Sequence, residues 1–273
     1  MRNAAFPNYE VFALRFSSSA ARPPRANYSF ADAHDVAEAL DFYIWAIRGG
    51  GHVFVVDTGF DVAVSRGRAW PLNCSVAEAL QGIGIDAATV PEVVLTHLHV
   101  DHAGGTQFFP KARFHLQERE MAFCTGRCMC HQRMRGAVDV DQVVQMVRYV
   151  HGGRVRFHDG TVELAPGISL HRVGGHTGGM QVLRVHTARG WVVLASDAAH
   201  FYHSLARRNP FPVPADLGEA LDALDLCLTL ADSPEHVIPG HDPLVLRRFP
   251  PIGGGIDGGR LHQAPMAAAS ERP

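Results

Sequence analysis

Short apolar runs broken by turn residues dominate this chain. Their periods predict strands at both ends and helices between them. Residues 11–16 read as a strand, and residues 17–25 have loop composition. From Asp41, the runs 42–47 and 52–56 flank Arg48-Gly49-Gly50-Gly51, the pattern of a hairpin. The hairpin closes on Asp57-Thr58-Gly59, a tight turn where Asp57 can cap local amides or support a site from beneath. Residues 65–73, with Trp70-Pro71-Leu72, read as an exposed aromatic loop, and residues 76–80 as a helix stopped at Gly82 and Gly84. Val93-Val94-Leu95 has the character of a buried strand, and residues 112–116 alternate as a further strand. Helical patterns cover residues 118–124 and 138–150.

Beyond residue 154 the pattern changes. Five apolar runs (155–157, 161–164, 168–173, 181–185 and 191–195) are punctuated by Asp159-Gly160, Pro166-Gly167 and Arg189-Gly190, which predicts a strand meander. The clearest helix follows: Leu217, Leu221, Leu224 and Leu228 recur at helical spacing, with Asp216 as N-cap and Glu219 three residues on. Val237-Ile238 reads as a last strand. The Gly- and Ala-rich tail, residues 253–273, is expected to be disordered, leaving a single domain over residues 1–252. This order predicts an α/β layered fold with mixed sheets.

Composition narrows the function classes. The chain has 273 residues, about half of them apolar, and a net charge of −2. It has no basic run for nucleic acid or membrane lipid and no apolar stretch long enough to span a bilayer. Residues 1–19 lack a signal-peptide layout, so a cytoplasmic protein is expected. The cysteines are odd in number and irregularly spaced, unlike a disulfide framework. Cys124, Cys128 and Cys130 match no common zinc or iron–sulfur spacing and are expected to pack in a helical lid.

The candidate chemistry starts at Thr96-His97-Leu98-His99-Val100-Asp101-His102-Ala103-Gly104-Gly105. Three imidazoles and a carboxylate fall within six positions after a buried strand. Alternation along an extended backbone can aim His97 and His99 the same way. Neutral imidazole and carboxylate are the usual ligands of zinc and similar divalent ions. Three later signals repeat the grammar of strand, ligand-type residue and small residue: Gly175-His176-Thr177-Gly178-Gly179, Ser196-Asp197-Ala198-Ala199 and Gly240-His241-Asp242.

Together and in this order, these motifs resemble the metallo-β-lactamase superfamily, over residues 41–242. The resemblance implies an αβ/βα four-layer sandwich, two mixed β-sheets flanked by helices, with metals at one sheet edge. It assigns His97, His99 and His176 to a first metal, Asp101, His102 and His241 to a second, and Asp197 to both. Asp57 matches the turn that supports the site. The implied cofactors are two divalent ions, zinc by default, with iron, manganese or cobalt also suited to these donors. Such a pair can share a hydroxide that attacks a carbonyl carbon, with Asp101 as proton shuttle.

Within the superfamily, the chain most resembles the N-acyl homoserine lactonase branch, through Asp57-Thr58-Gly59-Phe60-Asp61, the HxHxDHAGG form, Asp197-Ala198-Ala199 and Gly240-His241-Asp242. That implies a lactonase acting on a small-molecule cyclic ester. One departure stands out. The branch commonly places a tyrosine three residues after the bridging aspartate, and this chain has His200, followed by Phe201 and Tyr202. His200 or Tyr202 is therefore the expected donor to the substrate carbonyl, and lactones other than acyl homoserine lactone, or cyclic amides, come into range. Trp70, Met121, Phe201 and Phe211 are the expected pocket walls. The alternative is a glyoxalase-II-like thioesterase or persulfide dioxygenase acting on a glutathione conjugate, which shares HxHxDH.

Overall fold

A computed structural model describes residues 6–68 and 70–267. Its strands are β1 (Glu10–Ser18), β2 (Asp41–Gly49), β3 (His52–Val56), β4 (Glu92–Val94), β5 (Arg113–Gln117), β6 (Val155–His158) and β7 (Thr161–Ala165), then β8 (Ile168–Arg172), β9 (Gln181–Thr187), β10 (Gly190–Ser196), β11 (Val237–Pro239), β12 (Pro251–Gly253) and β13 (Ile256–Arg260). They form an eight-stranded sheet, β12-β13-β1-β2-β3-β4-β5-β6, and a five-stranded sheet, β11-β10-β9-β8-β7. Both are mixed: β3 to β6 run parallel, as do β10 and β11, and the remaining pairs are antiparallel.

The side-chain period of two explains the layers. On β2, Tyr43, Trp45 and Ile47 face the second sheet and pack with Leu170, Leu183 and Leu194. Phe42, Ile44 and Ala46 face the other way, toward helices that contribute Val76, Leu80, Val143 and Met146. Both faces are covered, so the run is apolar without interruption. The second sheet buries Val182, Val193 and Ala195 against Ala223, Leu224 and Cys227 of the Leu217–Leu230 helix. The result is helix, sheet, sheet, helix. No helix among the described residues is long and apolar enough to cross a membrane.

Three expectations are corrected. Residues 62–68 are helical: Asp61 Oδ1 accepts from the Ala63 and Val64 amides, an N-cap that the aromatic-loop reading overlooked. Trp70 then turns back onto Phe42 and Phe60, with ring centroids 4.9 and 5.5 Å away. The five-run meander is really four runs, because β6 leaves it to pair parallel with β5 in the other sheet. The tail is not disordered over residues 253–267. β13 pairs with β1 through Gly258 and Gly259, and Leu261 is buried. A Cβ on Gly258 would meet the Ala13 carbonyl oxygen at 2.6 Å, so the glycines that mimic a disordered tail are what admits the strand. The rest of that expectation, residues 268–273, lies outside the described residues.

Candidate metal centre

Every sequence-predicted ligand sits just beyond a strand end on one edge of the sandwich. β4 leads into His97 and His99, and the single helical turn Val100–Ala103 carries Asp101 and His102. His176 lies in the β8–β9 connection, Asp197 follows β10, and His241 follows β11. One group of donor atoms within 4.8 Å of one another joins His97, His99, His176 and Asp197; a second joins Asp101, His102 and His241; a third joins Asp197, His200 and His241.

Asp197 stands between the first two groups and divides its oxygens. Oδ2 lies 3.2 Å from His176 Nε2 and 3.8 Å from His97 Nε2. Oδ1 lies 3.1 Å from His102 Nε2 and 3.0 Å from His241 Nε2. The buried nitrogens His97 Nε2 and His102 Nε2 have no hydrogen-bond partner of their own. Unpaired buried nitrogens among carboxylates cost free energy that a cation would recover, so this donor set fits divalent metal.

The far sides of the rings are tied down, as metal-ligating imidazoles require. His102 Nδ1 is 2.7 Å from Asp57 Oδ2, and His241 Nδ1 donates to the Asp41 carbonyl at 2.9 Å. Thr96 Oγ1 donates to the Asp57 carboxylate and contacts His97 Nδ1 at 3.1 Å. Asp57 thus supports two histidines from beneath, and it does so at a φ of 62°, while Ser196 beside Asp197 has a φ of 44°. Left-handed backbone at non-glycine residues marks strain held by the surroundings, here on both sides of the cluster.

The electrostatics agree. Burial, with the neighbouring imidazoles, holds His97 and His99 well below the usual histidine range, leaving them as neutral donors. Burial pulls His102 down as well, but the carboxylates of Asp197, Asp101 and Asp57 outweigh it and hold the ring well above that range. Burial opposes ionisation of Asp197, yet His200, His102 and His241 keep it well below the usual carboxylate range. The carboxylates of the cluster call for positive charge.

A cavity of about 260 Å³ opens onto the cluster, and Asp101, Asp197, His200 and His241 reach it. Trp70 and Phe211 line it as expected, and Met121 and Phe201 do not. Phe201 is buried against Tyr28, with centroids 5.4 Å apart, and Met121 packs on the helix-covered core. Tyr202 is a clear correction. It opens the Tyr202–Arg207 helix, its ring lies under the Arg248 guanidinium at 4.0 Å, and it is absent from the cavity wall. His200 is the residue that reaches in. Its Nε2 lies 3.0 Å from Asp197 Oδ2, its ring stacks on Phe211 at 3.9 Å and 6°, and its Nδ1 is buried without a partner.

Two buried residues escaped the sequence reading. Glu120, on the Glu118–Thr125 helix, accepts from the Leu98 amide at 2.9 Å, from Thr177 Oγ1 at 2.6 Å and from the Gly179 amide at 2.9 Å. It ties the His97–His99 loop to the His176 loop. Gln181 donates to the Leu95 carbonyl at 2.8 Å and joins the two sheets at the site. A lone Glu and a lone Gln in ordinary patterns gave no signal. Among the described residues no metal-competent group contains a cysteine; Cys124 is buried beside Glu120, and Cys130 is exposed.

A sequence profile of the metallo-beta-lactamase superfamily matches residues 43–241. The chain belongs to the metallo-beta-lactamase superfamily. A probable metallo-hydrolase of Mycobacterium tuberculosis is 25% identical over 206 residues, 64% of this chain and 62% of that protein. The match thus spans under two thirds of that relative's length. The N-acyl homoserine lactonase AiiB of Agrobacterium fabrum is 33% identical over 135 residues, 47% of each chain. Among solved structures, an N-acyl homoserine lactone hydrolase with N-hexanoyl-L-homoserine at its metal centre superposes with a TM-score of 0.69 at 18% identity, over 88% of this chain and 95% of that one. AidC, a dizinc quorum-quenching lactonase, gives 0.68 at 16% identity, over 88% and 90%. At these identities the superpositions establish the superfamily's two-sheet sandwich and nothing finer.

Proposed function

We propose that this chain is a dinuclear metal-dependent hydrolase that opens a small cyclic ester. The observation that carries the reading is the division of Asp197, one oxygen toward His97 and His176 and the other toward His102 and His241. A carboxylate can span two ions where an imidazole cannot. His97, His99 and His176 would hold one ion, Asp101, His102 and His241 the other, and zinc suits both sets. Divalent ions bound there would supply Lewis acidity toward a carbonyl and ionise water near neutral pH.

The chain's own residues do the rest. Asp101 reaches the cavity with part of its side chain exposed, and its carboxylate can take up and return the proton that ester opening moves. His200, buried and held flat against Phe211, places an imidazole at the cavity wall where a tyrosine of the lactonase branch would place a phenol. Burial pushes its pKa to about 4, despite the pull of Asp197, so the ring is neutral and its one proton lies on Nε2 toward Asp197 Oδ2; with that oxygen on a cation, the N–H is free for a substrate carbonyl. Trp70, Leu40 and Phe211 supply apolar walls that favour a compact ring and limit water. The similarity to AiiB supports the lactone reading. Zinc-loaded protein assayed on a panel of lactones, lactams and glutathione thioesters tests it: turnover of lactones is expected, and turnover of thioesters alone overturns it.

A further inference from the structure

Three arginines surround the mouth of the cavity, and neutral-ester chemistry needs none of them. Arg22 and Arg133 line it, and Arg68 lies over the ring of the lining residue Trp70, 5.3 Å from its centroid. Each is held by a backbone carbonyl. Arg22 Nη2 donates to Ala26 at 2.9 Å, Arg68 Nη2 to Gly136 at 2.9 Å, and Arg133 Nη2 to Pro212 at 3.3 Å. Among the described residues, none of the three has a carboxylate within ion-pair distance, a state they share with most of the arginines; Arg22 and Arg133 differ in lining the cavity.

Arg22 is the informative one. It is half-buried, and its guanidinium lies over Phe211, 5.4 Å from the centroid, on the same ring that stacks with His200. Arg22, Phe211 and His200 therefore form one continuous contact from the mouth to the metal cluster. Among the described residues, the five N–H donors of Arg22 make one hydrogen bond, to the Ala26 carbonyl, which leaves donors of the fork at the cavity wall for an anion. Asp101, which lines the same cavity, belongs to the ligand cluster and makes no ion pair with Arg22, and Glu38, the arginine's partner across a backbone bridge, turns its carboxylate to Tyr28.

We infer that the substrate carries a carboxylate beyond its scissile ester, and that Arg22 is the residue that binds it, with Arg133 and Arg68 adding long-range attraction at the rim. The inference rests on the lactonase reading for the scissile group alone. A neutral acyl lactone would leave Arg22 unpaired and desolvated further. A carboxylated lactone pairs it and is oriented with its ring toward His200 and Asp101.

The test compares ligands that differ by one carboxylate. Calorimetry on zinc-loaded protein measures the ring-opened hydroxy-dicarboxylate 2-hydroxyglutarate against 4-hydroxybutyrate, and kinetics measure the corresponding carboxylated γ-lactone against its methyl ester. A charge-assisted pair at a half-open mouth predicts roughly tenfold tighter binding of the dicarboxylate and a KM lower by about the same factor. Arg22→Met should lower affinity for the carboxylated ligands at least five times more than for the others, and Arg22→Lys should keep part of the preference. Equal binding of both ligands by the wild-type protein overturns the inference without any variant. An equal loss on both ligands in Arg22→Met also overturns it, because it marks a structural role. If no lactone turns over while the dicarboxylate preference persists and depends on Arg22, the lactonase reading falls and the anion site stands. If both lactones turn over alike, the reverse holds.

Discussion

Replacing Asp57 with asparagine should move a proton without disturbing the fold. The carboxylate is fully buried; its Oδ1 accepts from the Thr96 amide at 2.7 Å, and its Oδ2 faces His102 Nδ1 at 2.7 Å. In Asp57→Asn the carbonyl oxygen can keep the Thr96 contact, and asparagine tolerates the φ of 62° at this position. The amide nitrogen then points hydrogens at His102 Nδ1. That contact requires a lone pair on Nδ1, so the ring proton moves to Nε2, the atom aimed at Asp197 and Asp101 at 3.1 and 3.5 Å. A protonated Nε2 cannot ligate metal. Changes to such supporting partners typically cost 10- to 100-fold in metal affinity, about 1.4–2.7 kcal/mol. The metal-free fold should lose only about 1 kcal/mol, the difference between a charged and a neutral hydrogen bond, or about 2–4 °C in Tm. Asp57→Ala, by contrast, strands the Thr96 amide and the His102 ring and should cost about 3–5 kcal/mol. Equilibrium dialysis against buffered zinc measures the affinity, and circular dichroism melts of metal-free protein measure the stability. Wild-type affinity for two zinc ions in Asp57→Asn would refute the proton-placement argument. Equal losses of Tm in the two variants would reduce Asp57 to a packing residue.

Other outcomes follow from the same geometry. His200→Ala should lower kcat on lactones roughly 10- to 100-fold with bound metal unchanged; loss of metal would make His200 a ligand instead of a substrate donor. Glu120→Ala leaves three buried donors unpaired and should lower stability by about 3–5 kcal/mol, read by urea unfolding; a cost under 1 kcal/mol would contradict its bridging role. Gly179→Ala should fail to give soluble protein, since its Cβ would sit 2.0 Å from the Glu120 amide nitrogen; a normal yield and Tm would show that the loop can move aside. His158, facing His115 at 2.9 Å, is pushed by burial and by that ring to about 4. Its unfolded form protonates first as pH drops below about 6.5, so its stabilising effect is intact above that value and is lost between about 6.5 and 4. With half the group in solvent the effect is at most about 1–2 kcal/mol, and His158→Gln should flatten the Tm–pH slope in that window by this much; an unchanged slope contradicts it.

The layers were legible because both faces of most strands are covered, which writes the strands into the sequence as apolar runs. The Asp216 cap was legible too: its side chain accepts from the Glu219 amide as the spacing predicts. Glu219, however, turns away from the reciprocal bond and accepts from the Gly175 amide at 3.2 Å, which ties that helix to the His176 loop. β13 was illegible because a strand built on Gly258 and Gly259 shows no side-chain period. β6 was recognisable as a strand, but its sheet was not, since parallel pairing with β5 is decided by the long helical connection between them. At the site, the His and Asp ligand types stood out because they end strands next to small residues. Glu120, Gln181 and Arg22 act on partners far along the chain, and no local spacing marks them. Tyr202 misled because the chain, two residues past His200, enters a helix that carries the ring away from the cavity, under Arg248.

In the proposed hydrolase, the ligands on the two sides of Asp197 would hold two metal ions that serve one site. Lactone turnover measured while zinc is added stepwise to metal-free protein tests it most directly. The rate should rise until two equivalents per chain are bound and then level off. A plateau at one equivalent, or no lactone turnover at any loading, would contradict it.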